Sequence, residues 1–151
     1  MSRIDPHRLD PSYYPAKVAI LTRYADVDPL WHINNVALAQ YFEEARVASF
    51  TRMFGDLRIP TPTGERVLLA HQSVDYLHEA SYPGTLEAGL GVLRIGNTSW
   101  TLAMGIFQAG RCVSISDAVL VYADANGPAR VPDQYRSRLE PWLLEARASG
   151  R

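Results

Sequence analysis

The sequence predicts an α+β fold in which an antiparallel sheet covers one long helix. Three observations lead to this fold class. One apolar strand precedes a long helical segment, four extended segments follow that helix, and short turns join the later segments. The pattern contains no repeats, no low-complexity tract and no alternation of strand and helix units. Strands grouped apart from helices in this way are typical of the α+β class.

The first two elements follow from the spacing of apolar residues. Val18 to Tyr24 alternates apolar and polar side chains, as a half-buried strand does. From Asn35 to Phe54 there is neither Gly nor Pro, and the apolar residues recur at helical spacing over about five turns. Asn34 or Asn35 can cap the start of this helix, and Gly55 can end it. The helix stripe predicted to be buried consists of Leu38, Tyr41, Phe42, Ala45, Ser49 and Met53.

Four extended segments follow a loop at residues 56–65. They are Val67 to Glu79, Leu86 to the turn dipeptide Gly96-Asn97, Trp100 to Ile106, and Arg111 to Ala123. A two-residue turn of the Gly-Asn type is a hairpin signal, so neighbouring segments are expected to pair antiparallel. A terminal helix should open after Val131-Pro-Asp, and Pro141 should break it.

The size and charge of the chain limit its organisation and its partners. A chain of 151 residues with 47% hydrophobic composition fits one domain that buries roughly two thirds of its unfolded surface. We expect residues 1–16 to form an irregular leader and residues 17–151 to form that domain. Fifteen basic against sixteen acidic residues give a formal charge of −1, so no overall basic field indicates nucleic acid or a membrane as partner.

The lack of a recognisable secretory signal or membrane span, together with the cysteine usage, leads us to expect a cytoplasmic protein. The first sixteen residues include three prolines but no apolar run, and no window approaches the ~20 apolar residues of a membrane span. Cys112 is the only cysteine, which excludes an internal disulfide and a thiolate metal cluster. Its apolar neighbours favour a buried, unreactive thiol over a nucleophile.

The densest group of polar side chains lies between the first strand and the helix. It is the stretch Asp26-Val-Asp-Pro-Leu-Trp-His-Ile-Asn-Asn35, followed by Gln40-Tyr-Phe-Glu-Glu-Ala-Arg46. This pattern resembles the signature of hotdog-fold acyl-CoA thioesterases of the hydroxybenzoyl-CoA thioesterase type. The resemblance implies a five-stranded antiparallel sheet wrapped around one long helix, and hydrolysis of an acyl-CoA or acyl carrier protein thioester without a cofactor.

The resemblance also assigns roles to residues of the motif. Asp28 matches the family's catalytic carboxylate, acting as nucleophile or as general base for water. The backbone amide of Asn35 would hold the thioester oxygen at the positive end of the helix. Asn34 would shape the turn, pin the loop and contribute to substrate binding. His32 would either take part in catalysis, by orienting Asp28 or by binding a bridging water, or only stabilise the turn, and the sequence leaves both open.

Trp31 departs from the family pattern, which usually has Gly at this position. A Gly tolerates an unusual backbone angle or the close approach of a substrate, whereas an indole fills space. Trp31 is therefore expected either to line the acyl end of the substrate pocket, or to point toward a partner subunit or pack under the loop. The resemblance further implies a homodimer with a continuous sheet and two interfacial sites, and such dimers often pair again into tetramers.

Other residues have simpler explanations. Asp26 is more simply a turn acceptor than a catalyst. Glu43 and Glu44 are most simply a solvated helix face, although other hotdog thioesterases place an acid on this helix, so they are the reserve candidates. Asp26, Asp28 and His32 could bind a divalent ion, but no further ligand has matching spacing, so no metal is expected.

Two other functions remain as alternatives. Hotdog hydratases and dehydratases use Asp and His spaced five apart and have an Asn where this chain has Asp28. A non-catalytic acyl-CoA binding protein would usually need an added domain. Arg58, Arg94 and Arg111 could meet coenzyme A phosphates, but their positions do not single out one of them.

Overall fold

The computed structural model describes residues 3–55 and 61–144. A single antiparallel sheet of five long strands and one two-residue strand dominates this part of the chain. The strands are β1 (Ala16–Leu21), β2 (Arg66–Tyr76), β3 (Thr85–Ile95), β4 (Ser99–Gln108), β5 (Arg111–Asp124) and β6 (Gly127–Pro128). Their order across the sheet is β1-β3-β4-β5-β2, and β6 pairs with the end of β5. The five long strands are those that the sequence predicts. The expectation that neighbouring segments pair is wrong for β2, which pairs with β5 and not with β3, because β3 pairs with β1 and β4 instead.

Two helices complete the fold. Helix α1 spans Asn35–Phe54, with Asn34 as its amino-terminal cap and Gly55 at its carboxyl end. Helix α2 spans Asp133–Leu139 and passes into a 3-10 turn that contains Pro141. Both helices therefore occur where the sequence predicts them. All six residues of the predicted stripe on α1 are buried, because that side of the helix packs against the sheet.

The core lies between α1 and the inner face of the sheet. Apolar side chains of β3 and β4 that point inward, such as Leu90 and Met104, form one cluster with Phe42 and Phe54 of α1. Strand β4 is buried along most of its length, from Trp100 to Phe107, because both faces of the sheet are covered at this strand.

Part of the outer face of the sheet is covered by the amino-terminal segment of the chain. The region predicted to be an irregular leader contains two 3-10 turns, Pro6–Leu9 and Pro11–Tyr13. Tyr14 is 1% exposed and lies over two glycines of the sheet: a Cβ at Gly89 would stand 2.7 Å from its ring, and one at Gly105 3.0 Å from its hydroxyl. Arg8 pairs with Asp117 of β5 at 2.7 Å. The segment is therefore part of the packed domain.

Several boundaries differ from the prediction. Strand β1 ends at Leu21 rather than Tyr24, because residues 24–26 coil into a 3-10 turn. Strand β2 ends at Tyr76 rather than Glu79. The connection between β3 and β4 has three residues, with the Gly96 N–H donating to the Ser99 carbonyl, where two were expected. Of the predicted loop 56–65, residues 56–60 fall outside the described ones.

Strand β2 is the exposed edge of the sheet. It pairs only with β5, and none of its eleven residues is buried. Within the two described stretches of the chain, no helix is long and apolar enough to cross a membrane.

Candidate functional site

The loop between β1 and α1 folds back on itself. Residues 24–26 form a 3-10 turn, and Val27 then pairs antiparallel with Ile33. The N–H of Asn34 donates to the carbonyl of Asp26 at 2.8 Å. The loop is thus closed at its base just before α1 begins.

Asp28 occupies the narrow end of this loop and is half-buried. Its Oδ1 accepts hydrogen bonds from the backbone N–H groups of Leu30 at 2.9 Å and of His32 at 3.2 Å. No residue in the described part of the chain donates to its other oxygen, Oδ2. One oxygen therefore fixes the turn and orients the carboxylate, while the other is left to meet a water or a substrate.

Asp28 lines a cavity of about 430 Å³ that opens beside the loop. Apart from the carboxylate, the cavity is formed by apolar or aromatic side chains and backbone. The other lining residues are Tyr24, Ala25, Val27, Pro29 and Trp31. Such a cavity suits an uncharged acyl group near one ionisable side chain.

A larger cavity of about 660 Å³ lies on the outer face of the sheet, away from the motif. Its most buried acid, Asp117, is already paired with Arg8, and none of the motif residues lines it. Size alone would favour this cavity, but the chemistry of the lining favours the one beside Asp28.

The amino end of α1 supplies backbone donors close in sequence to Asp28. The side chain of Asn34 accepts the Val36 N–H at 2.7 Å and so caps the helix. The N–H of Asn35 has no acceptor among the described residues. Free N–H groups at a helix start carry the positive end of the helix dipole and favour a negative oxygen.

The imidazole of His32 contacts a residue that the sequence does not single out. Its Nε2 lies 3.1 Å from Glu79 Oε2, and its backbone bridges to Ser81. His32 and Asp28 are joined through the backbone of His32 rather than through its ring: the His32 N–H donates to Asp28 Oδ1, and the His32 carbonyl accepts the Asp28 N–H at 2.9 Å. The ring and Glu79 therefore tie the loop to the segment that follows β2.

Trp31 has a left-handed backbone, with φ of 66°, which L side chains adopt at a cost and glycine adopts freely. This explains why Gly is usual at this position in the family that the motif resembles. The indole is 73% exposed and lines the cavity with Asp28. It therefore stands at the rim of the cavity.

Asp26 is more than the turn acceptor that the sequence suggests. It is 8% exposed, and its carboxylate accepts from Arg23 Nε and Nη2, both at 2.9 Å, and from the Tyr41 hydroxyl at 2.5 Å. The hydrogen bonds from Arg23 hold the pKa of Asp26 below its usual range. Burial and the bond to Asp26 raise the pKa of Tyr41 to about 12, so its hydroxyl stays protonated as a donor.

Sequence reasoning missed Arg23, Tyr41 and Glu79 as partners of the motif. The three-residue spacing of Arg23 and Asp26 could have suggested their ion pair. Nothing in the local sequence indicates that Tyr41 and Glu79 return to the loop.

The remaining candidates lie apart from the cavity. Glu43 and Glu44 are exposed on α1 and do not line it. Arg94 lines the outer-face cavity, Arg111 donates to His78 at 2.8 Å, and Arg58 lies outside the described residues. Among residues 3–55 and 61–144, no three His, Cys, Asp or Glu side chains come together as metal ligands would.

Comparison with solved structures gives neighbours that share the whole fold. A protein of Pseudomonas aeruginosa is 27% identical, with a TM-score of 0.77 over 89% of this chain and 96% of its own. A predicted thioesterase from Bacillus stearothermophilus is 28% identical, with a TM-score of 0.75 over 84% and 95%. A Thermus thermophilus thioesterase complexed with coenzyme A and Zn is 27% identical, with a TM-score of 0.75 over 88% and 96%. No curated protein matches.

The family models give a match that begins at the end of β1 and includes the whole motif. The model of the thioesterase-like superfamily matches residues 22–145, and the neighbours from Bacillus and Thermus are described as a predicted thioesterase and a thioesterase. The chain therefore belongs to the thioesterase-like superfamily and is a thioester hydrolase of the hotdog type.

Proposed function

We propose that the chain hydrolyses acyl-CoA thioesters to a carboxylic acid and a thiol, with Asp28 as general base or nucleophile. One observation carries this proposal. Asp28 lines an otherwise apolar cavity and has one oxygen pinned by two backbone N–H groups and the other without a donor among the described residues. A carboxylate oriented in this way can take a proton from water or attack the acyl carbon directly.

The amino end of α1 would stabilise the charge that forms on the acyl oxygen. The unused N–H of Asn35 is a donor of the kind that polarises a thioester carbonyl, and Asn34 holds the first turn in place. Thiols ionise near pH 8 to 9, so the departing sulfur needs little help from an acid. One carboxylate and backbone donors can therefore suffice.

Coenzyme A is the carrier that we favour over an acyl carrier protein. The Thermus neighbour, 27% identical, is described as complexed with coenzyme A. The apolar lining beside Asp28, with Trp31 at its rim, suits an uncharged acyl group. His32 would act as a positioning residue for the loop through its contact with Glu79.

The test is thiol release from a panel of short, long and aromatic acyl-CoA thioesters, with an enoyl-CoA hydration assay beside it. Asp28→Asn should lower kcat by roughly 10² to 10⁴ while the fold remains intact. A covalent acyl adduct on Asp28, detected by mass spectrometry of quenched enzyme, would identify a nucleophile. Hydration without thiol release would instead support a hydratase.

Asp124→Asn is the matched control. Asp124 also accepts a backbone N–H two residues ahead, from Asn126 at 2.8 Å, but it does not line the cavity. The control should retain wild-type kcat. If Asp28→Asn and Asp124→Asn cause equal, small losses, Asp28 is not the catalytic group, and Glu43 and Glu44 become the next residues to replace.

We also propose that two copies pair along β2 to form a homodimer, which could pair again. The unpaired backbone edge of β2 is flanked by exposed apolar side chains: Leu68 is 47%, Leu69 44% and Val47 63% exposed. An apolar groove of about 600 Å³ runs between α1 and β2 beside them. Natural proteins cover or pair a long edge of this kind.

Light scattering of wild-type protein and of two edge variants tests this assembly. Leu68→Lys places a charge on the β2 edge, and Ala19→Lys places the same charge on an exposed position of β1 at the opposite edge. Only Leu68→Lys should shift the protein toward monomers. A wild-type protein that is monomeric and active at micromolar concentration would disprove the dimer.

A further inference from the structure

Arg23, Asp26 and Tyr41, hereafter the Asp26 cluster, form a polar group behind the candidate site, in which Asp26 and Tyr41 are buried and Arg23 is exposed. Arg23 binds both carboxylate oxygens of Asp26 in a fork, and the Tyr41 hydroxyl donates to Oδ2. Neither the Asp26 side chain nor Tyr41 lines the cavity that holds Asp28. With both oxygens occupied, Asp26 has no carboxylate oxygen left for chemistry on a substrate.

The backbone of Asp26 makes a second connection in the opposite direction. Its carbonyl accepts the N–H of Asn34, and Asn34 caps α1 through the Val36 N–H. Tyr41 lies two turns further along the same helix. Asp26 is therefore joined to α1 twice, through its backbone before the first turn and through its side chain at Tyr41.

These two hydrogen-bonded connections and the helix segment between them form a closed ring of contacts, hereafter the circuit. The circuit runs from Asp26 to Asn34, along α1 to Tyr41, and back to Asp26. Asp28 follows Asp26 by two residues, and the Asn35 N–H follows Asn34 by one. The proposed oxyanion donor thus belongs to this closed frame, and the proposed base is attached to it at Asp26.

We propose that the Asp26 cluster is a positioning device that fixes the Asp28 carboxylate relative to the backbone donors at the start of α1. This inference rests on the proposed function, because it assigns the cluster an effect on the rate of that reaction. The three side chains touch no substrate. They act through the loop, where a displacement of about 1 Å can cost a factor of 10² in rate.

The decisive variant is Tyr41→Phe, which removes one hydroxyl and leaves the ring in place. Tyr122→Phe is the matched control, since Tyr122 is also buried, at 4% exposure, and donates to a carboxylate, Glu65 Oε1, at 2.6 Å. Tyr122 does not line the cavity beside Asp28. Both variants should lower the melting temperature, because each removes a hydrogen bond to a carboxylate.

Only Tyr41→Phe should alter catalysis. We expect its kcat to fall about 5- to 30-fold with little change in KM, which corresponds to a shift of a fraction of an ångström. Tyr122→Phe should keep wild-type kcat. Asp26→Asn should lower kcat in the same way, and the double variant Asp26→Asn/Tyr41→Phe should lose less than the product of the two single losses, since both break one circuit.

Hydrogen exchange of the Asn34 and Val36 amides tests the cluster without any substrate. Both amides should exchange faster in Tyr41→Phe than in wild type and in Tyr122→Phe, because the frame that protects them is opened. Unchanged exchange would refute the positioning role. Faster exchange with unchanged kcat would also refute it, by showing that the loop position does not govern the rate.

The two proposals can fail separately. If wild-type protein releases no thiol from any thioester, the proposed function is wrong, and the exchange result alone then decides whether the cluster holds the loop. If wild type is active and Tyr41→Phe equals Tyr122→Phe in both kcat and exchange, the cluster contributes only to stability, and the inference is overturned.

Discussion

Trp31→Gly should be more stable than Trp31→Ala, although Gly usually stabilises a folded protein less than Ala does. Both variants lose the same buried part of the indole. A Trp side chain can bury up to about 250 Å², but Trp31 is 73% exposed, so only about a quarter of that area is buried here. Truncation of the indole should therefore lower the free energy of unfolding by roughly 1.5 kcal/mol. The two variants therefore share this loss and differ only in backbone energy.

The backbone term follows from the φ of 66° at this position. A residue with a Cβ adopts the left-handed region at a cost of about 1 to 2 kcal/mol, which Gly avoids. The greater conformational freedom of Gly in the unfolded chain reduces this advantage of the Gly variant by about 0.4 to 1 kcal/mol. Trp31→Gly should thus be more stable than Trp31→Ala by about 1 kcal/mol, measured by urea unfolding. An Ala variant as stable as the Gly variant would refute the reasoning.

The same pair of variants tests whether Trp31 restricts the acyl group. If the indole fills the acyl end of the cavity, both variants should improve kcat/KM for longer or bulkier acyl-CoA by at most about 1 to 3 kcal/mol relative to short ones. If Trp31 instead faces a partner subunit, all rates should fall in proportion and the dimer should weaken. An unchanged profile across acyl lengths rejects the pocket role.

Three further predictions concern other parts of the molecule. Because the pKa of Asp26 is lowered in the folded state, its carboxylate stabilises the fold above the unfolded pKa of about 4, and this stabilisation is lost as the pH falls through the folded pKa. Asp26→Asn should therefore flatten the acid side of a plot of unfolding free energy against pH. An unchanged slope would contradict this. Gly91→Ala should cost about 1 to 3 kcal/mol by overpacking, because its Cβ would enter the buried side chain of Leu144, and Leu144→Ala should relieve part of that cost in the double variant. Burial raises the pKa of the Cys112 thiol to about 11, so an aromatic disulfide reagent at pH 8 should modify it only after unfolding; fast labelling of native protein would show that the thiol is accessible.

Local sequence patterns were sufficient to predict the main elements. The twenty-residue α1 was predictable because its apolar stripe repeats without Gly or Pro and is bounded by Asn34 and Gly55. Val47 lies outside the predicted stripe and is exposed beside β2, since one copy of the chain leaves that side of α1 uncovered. Short turns explain why β3, β4 and β5 pair with their neighbours along the chain. They do not explain the pairing of β1 with β3 or of β2 with β5, which joins strands that are not consecutive.

The surroundings of the motif were less predictable, because they depend on contacts between distant parts of the chain. Tyr41 meets Asp26 only when α1 packs back along the loop, and Glu79 meets His32 only because Ile33 and Ala80 pair their backbones. Short motifs indicate which side chains can do chemistry. They do not show which neighbours hold those side chains, and the catalytic role of Asp28 itself stays a prediction until it is measured.

The covered part of the outer face of the sheet restricts the quaternary arrangements open to this protein. Two copies could stack their sheets back to back only after Tyr14 left its position over Gly89 and the Arg8–Asp117 pair was broken. Such stacking would exchange intramolecular packing for an interface and gain little. Larger assemblies should therefore grow from the sheet edges, from the helical side of the molecule or from the uncovered part of the outer face beside β2, and not across the part that Tyr14 and Arg8 cover.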